Sequence, residues 1–166
     1  MYPESVTKEA ASSRPTSLPG TARSLPVSLI RAREWVMAPV RRMLADTGIT
    51  EQQWRVLRVL QEYGPQDATK LADRASLMPP SLTRIVQTME TAGFIRRDAD
   101  ANDRRRQTIA ILPKGERLIE ANLEQALDIA AQYRRKLGNE DYERLLDLLE
   151  KLTGDSEESA GGAKAR

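Results

Sequence analysis

Between residues 25 and 152 the apolar positions first follow a helical period, then a strand period, then a helical period again. From Leu25 to about Asp46, Ile30, Met37, Val40 and Leu44 recur at heptad-like spacing, which predicts a helix with one buried stripe. Pro39 inside it predicts a kink near Ala38, and Gly48 ends it. Thr50 followed by Gln53 is a capping-box signature for a second helix over about 51–63. There Val56, Val59, Leu60 and Tyr63 follow the i, i+3, i+4, i+7 pattern, and Gly64 and Pro65 break it. A short third helix over about 69–75 turns Leu71 and Ala72 inward. Pro79 and Pro80 suit the first turn of a fourth, since proline is pre-set for that position. Leu82, Ile85, Val86 and Met89 form its buried stripe, Ser81, Thr83, Arg84, Gln87 and Thr88 its polar face, and Gly93 its stop.

The period then changes. Phe94 to Arg97, a polar turn through Asp98, Asp100, Asn102 and Asp103, and the alternation of Ile109 and Ile111 predict two short strands joined as a hairpin. Pro113 begins a long helix to about Leu137. Gly138 and Asn139 separate it from a last helix striped by Tyr142, Leu145, Leu146, Leu149 and Leu152. A short helix, a tight link, a second helix with a polar outer face and then a hairpin make a mainly α (α+β) chain with a winged helix–turn–helix.

The ends have a different composition. Pro3, Pro15, Pro19 and Gly20 lie among Ser and Thr in residues 1–24, and glycines recur over 154–166, so both read as disordered. With no internal repeat or linker, residues 25–153 form one domain, its lobe at 50–112 flanked by terminal helices at 25–47 and 113–153. The stripes on those helices exceed what one lobe can cover. A second copy of the chain would bury them and set two fourth helices about one DNA turn (~34 Å) apart; an intrachain helical cap on a monomer is the alternative.

Composition mainly excludes. The chain has 166 residues, 40% hydrophobic and only 4% aromatic, so aliphatic side chains fill the core. A net charge of +2 does not announce a nucleic-acid partner; the placement of the charges must. With no Cys and no His there is no disulfide, thiol sensor, Cys/His zinc site or Ser–His or Cys–His nucleophile. No cofactor and no enzymatic role are expected. No apolar run approaches the roughly 20 residues of a bilayer span, and the N-terminus lacks a signal-peptide pattern. A soluble cytoplasmic protein is the default.

The candidate chemistry lies on the fourth helix and the hairpin. Ser81, Thr83, Arg84 and Gln87 have side chains that read base edges, and the helix start at Pro80 can approach a phosphate. Arg104, Arg105 and Arg106 lie at the hairpin tip or on its second strand, opposite Arg96 and Arg97. Arginines in a wing enter the minor groove or pair with phosphates. Strand alternation prevents all of them from facing DNA, and Asp103 is the obvious local acid to steady one. The spacing of Asp98, Asp100 and Asp103 lacks the glycine and bidentate glutamate of a calcium loop, so turn-shaping is favoured over metal. Double-stranded DNA is the expected partner; a winged helix used for protein assembly is the alternative.

The runs ITEQQWRVLRVLQEYG, MPPSLTRIVQTMETAGFIRR and NDRRRQTIAILPKG together resemble the MarR family over about residues 25–152. RAREWVMAPVRRML ahead of TEQQWR resembles, within it, the branch regulating homoprotocatechuate (4-hydroxyphenylacetate) degradation operons. The family's acid-x-Arg wing signature falls on Asp103 and Arg105, and its PSLTR signature on Pro80 to Arg84. The resemblance implies a homodimer on a pseudo-palindromic operator, repressing until a phenolic or aromatic carboxylate ligand binds between the dimerisation helices and the wing domain. Arg31, Arg33, Trp35, Met37, Trp54 and Arg55 are its candidate contacts, with Trp54 as plain core and an Arg33–Glu34 pair as the alternatives. A ligand-independent DNA-binding module remains open. One departure is Leu112–Pro113, where the family places a capping threonine, so that cap must come from elsewhere.

Overall fold

The computed structural model describes residues 20–99 and 107–154. The elements are α1 (Leu25–Leu44), α2 (Glu51–Tyr63), β1 (Gln66–Asp67), α3 (Ala68–Arg74), α4 (Pro79–Thr91), β2 (Ile95–Ala99), β3 (Gln107–Ile111), α5 (Pro113–Ala121), α6 (Leu123–Leu137) and α7 (Asn139–Thr153). A 3₁₀ turn over Thr21–Arg23 precedes them. The chain divides into two compact units between Trp35 and Val36, along α1. In the first, Leu25, Leu29, Ile30 and Trp35 are exposed, and Arg33 pairs with Glu34 at 3.1 Å.

In the second unit, Val56, Leu57 and Leu60 from α2 pack with Leu71 of α3, Met89 of α4, Ile95 of β2 and Ile119 of α5. The predicted capping box forms: Gln53 N–H donates to Thr50 Oγ1 at 3.2 Å and Thr50 N–H donates to Gln53 Oε1 at 2.9 Å. Pro79 opens α4, as its fixed φ and missing N–H allow. The turn from α3 into α4 passes through Ser76 at φ 49°, the one non-glycine residue with positive φ among the described residues.

Three features differ from the sequence-based expectation. The hairpin gains a third strand, β1, whose Gln66 lies opposite Ile109 and gives the sheet order β1-β3-β2. Gln66 is buried; its Nε2 donates to the carbonyls of Tyr63 (3.1 Å) and Pro65 (2.9 Å), and its Oε1 accepts from Arg74 Nη1 at 2.6 Å. Arg74 also stacks over Tyr63, 4.0 Å from the ring centre, so one polar cluster joins α2, β1 and α3. The predicted long helix is interrupted at Asn122 (φ −108°, ψ 5°) between α5 and α6. There the Asn122 amide donates to the Leu118 carbonyl at 2.8 Å, the side-chain competition that disfavours asparagine inside helices. Finally, no side chain caps α5; Leu112 precedes it, and Pro113 removes one of the N–H groups a cap would serve.

At the third position of α5, Gly115 approaches two other elements. A methyl group there would lie 2.8 Å from the Phe94 carbonyl oxygen, 2.8 Å from the Ile111 side chain and 3.0 Å from that of Leu57. Only glycine permits that approach. On α7, by contrast, no residue is buried: Leu145, Leu148 and Leu152 are exposed, the last two by 55% and 54%. Leu123, Leu127 and Leu137 of α6 are also exposed. No helix among the described residues is long and apolar enough to cross a membrane.

Candidate nucleic-acid interface

The apolar stripe of α4 fixes which of its side chains remain outside. Leu82, Val86 and Met89 are buried, which turns Thr83, Arg84, Gln87 and Thr88 to solvent, with Ser81 half-buried and Pro80 exposed. The threonine hydroxyls bond back into the helix: Thr83 Oγ1 donates to the Pro79 carbonyl and Thr88 Oγ1 to the Arg84 carbonyl, each at 3.0 Å. With its hydrogen committed, each hydroxyl offers an outside group only an acceptor oxygen and a methyl. Arg84 has no acid partner among the described residues, so its guanidinium is available for a guanine edge or a phosphate.

Strands β2 and β3 pair antiparallel, from Ile95 opposite Ile111 to Ala99 opposite Gln107. Alternation along β2 sends Ile95 and Arg97 to one face and Arg96 and Asp98 to the other. The second pair meets itself, Arg96 Nε lying 3.2 Å from Asp98 Oδ2. Arg97 reaches α4: its Nε donates to Glu90 Oε2 at 2.8 Å, and its Nη2 donates both to Glu90 Oε2 and to Gln87 Oε1, the latter at 3.0 Å. The hydrogen bond from Arg97, more than its charge, holds the Glu90 carboxyl below the ordinary carboxylate range and raises Arg97 in return. Sequence reasoning missed this pair, because its acid was sought within the hairpin. Asp103, Arg104, Arg105 and Arg106 lie outside the described residues.

The six candidate ligand residues divide between the two units. Arg31, Arg33 and Trp35 belong to the first, where all three are exposed. In the second, Met37 is half-buried and Trp54 belongs to the core. Arg55, its neighbour on α2, has a buried Nε with no hydrogen-bond partner. No cluster of three or more His, Cys, Asp or Glu suited to a metal occurs among the described residues.

Comparison with known proteins gives a consistent result. The model of the MarR family matches residues 49–106, from the end of the α1–α2 turn through β2 to the residue before β3. The chain is similar to the HTH-type transcriptional regulator FarR of Neisseria gonorrhoeae, 38% identical over 129 residues, which cover 78% of this chain and 88% of that one. It is 34% identical to the homoprotocatechuate degradative operon repressor of Escherichia coli over 129 residues, 78% of this chain and 87% of the other. Among solved structures it resembles NadR in complex with 4-hydroxyphenylacetate, at 37% identity and a TM-score of 0.71, covering 84% of this chain and 97% of NadR.

Proposed function

The chain belongs to the MarR family of transcriptional regulators, and from that premise we propose that it is a homodimeric repressor that reads a pseudo-palindromic operator through α4 and is released by an aromatic carboxylate. The observation that carries the DNA reading is the outward polar face of α4, with Thr83, Arg84 and Gln87 exposed beside the hairpin. Pro80 and Ser81 sit at the helix start to meet the backbone, and of Arg104, Arg105 and Arg106 those on one face of the wing would join them, with Asp103 as the acid for another. The unburied leucines of α6 and α7 support the dimer, since a second copy removes them from water. The proposed role is regulatory rather than enzymatic, as it is for the relatives, and its place is the cytoplasm, where a DNA-binding regulator meets its operator.

The ligand reading is supported by the similarity to NadR, which has been solved with 4-hydroxyphenylacetate, and to a repressor of homoprotocatechuate degradation. In this chain Arg55 has the matching chemistry. Its buried, unpartnered Nε–H leaves a desolvation cost of about 1–3 kcal/mol that a carboxylate oxygen would offset, whereas Trp54, next to it in sequence, is taken up by the core. Arg31, Arg33, Trp35 and Met37 stay candidates on the family resemblance alone, each within its own unit.

The test is selection of bound duplexes from a randomised library, followed by anisotropy titration of the selected site with and without 4-hydroxyphenylacetate. A palindromic consensus and weaker binding in the presence of the acid are expected. Failure to enrich any sequence would remove the DNA reading. Enrichment with no response to this acid or related phenolic acids would leave a ligand-independent repressor.

A further inference from the structure

Gln87 is exposed on the face of α4 that would meet DNA, yet its side chain is not free. Glu90 lies three residues on, hence on the same side of the helix, and Arg97 of β2 bonds to both. The guanidinium makes this possible because Nη2 carries two hydrogens in a fixed plane: one goes to Glu90 Oε2 and the other to Gln87 Oε1. Since a guanidinium has no acceptor, the amide atom facing it must be the oxygen, and the Gln87 amino group is left to face outward. A glutamine that reads adenine uses both ends of its amide, the oxygen accepting from N6 and the nitrogen donating to N7. Here one lone pair of the oxygen is already taken, and the bond that takes it draws the oxygen end of the amide toward β2.

We propose that Arg97 is a specificity-determining positioning residue: by drawing the Gln87 oxygen toward β2, it turns the N–H donors of the amide outward at this position of α4, so that it selects the acceptor-only edge of guanine (O6 and N7) over adenine. Glu90 is part of the same device, because it fixes the guanidinium that fixes the amide. The inference rests on the reading of α4 as the recognition helix, and it goes further by giving a base preference to one residue and its control to a residue in the wing.

The experiment is duplex selection with the full-length wild type and with Gln87→Ala, Arg97→Lys and Glu90→Gln, each checked for an unchanged circular dichroism spectrum. Gln87→Ala identifies the operator position that Gln87 reads, as the one whose preference flattens. At that position the wild type should favour guanine, and Arg97→Lys should move the preference roughly tenfold toward adenine while other positions keep theirs. Glu90→Gln, the milder change, should move the same position in the same direction. Adenine preferred by the wild type at that position, or a preference unmoved by Arg97→Lys and Glu90→Gln, overturns the proposal. If Gln87→Ala flattens no position of a well-defined consensus, the proposal falls and the DNA reading stands. A wild type that enriches nothing overturns both.

Discussion

The hydroxyl of Tyr133 on α6 donates a 2.6 Å hydrogen bond to the carbonyl of Val36 on α1, ninety-seven residues earlier in the chain. The bond falls in the turn of α1 that contains Pro39. Tyr133 remains a protonated donor through the ordinary pH range, because burial first, and the charge of Tyr142 second, raise its phenol above the usual value. Tyr133→Phe is expected to cost about 0.5–1.5 kcal/mol in chemical denaturation; a cost indistinguishable from zero would mean that water replaces the hydroxyl fully.

Gly115→Ala should cost more. The added carbon meets a backbone carbonyl and two core side chains at 3.0 Å or less, and a backbone oxygen cannot rotate away. A loss of about 1–3 kcal/mol is expected, the range for overpacked cores, read as a lower urea midpoint with an unchanged slope.

The Glu90–Arg97 pair gives a signed pH dependence. Glu90 titrates below the ordinary glutamate range in the folded protein, so the pair's contribution is complete above that range and is lost as pH falls through the lower, folded value. Wild type should therefore melt above Glu90→Gln at pH 7, with the gap closing as pH falls through and below the ordinary carboxylate range. A gap of the same size throughout would show that the difference comes from packing and not from ionisation.

Leu148 and Leu152 lie on the unburied face of α7, four residues apart. Replacing both with Glu should halve the mass seen by sedimentation equilibrium, because a buried charge pair without partners opposes association. It should also weaken operator binding by more than tenfold, since each half-site is then held alone. A variant that sediments as wild type would place the dimer interface elsewhere.

Arg84 and Arg105 should separate specificity from affinity. Arg84→Ala is expected to relax preference at one base position, at a cost of about 1–3 kcal/mol on the preferred site. Arg105→Ala should weaken all sequences alike and lower the salt slope by about 1. Exchange of these two outcomes would exchange the roles.

The sequence made the helices of the winged lobe legible where local rules and tertiary packing agree. The Thr50–Gln53 box and the Pro79 start are such cases, each depending only on neighbours in the chain. Strand β1 was not legible, because two residues carry no period and Gln66 is held by partners on α2 and α3. The break at Asn122 was hidden by apolar spacing that continues on both sides of it. In the candidate interface, burial of the α4 stripe told which residues face outward. It did not tell that Gln87 is tethered, since the Arg97 that holds it comes from a strand whose register against α4 only the folded chain sets.

The glycine at 115 has a mechanical consequence. With no side chain between them, the first turn of α5 rests against the root of β2 at Phe94 and against Leu57 in the middle of α2. Close-packed parts have no slack to take up a displacement, so a roll of α5 must carry the root of the hairpin with it. Gly115 is therefore a fulcrum: it makes the start of the C-terminal helices and the base of the wing one lever, and a push on either end is felt at the other.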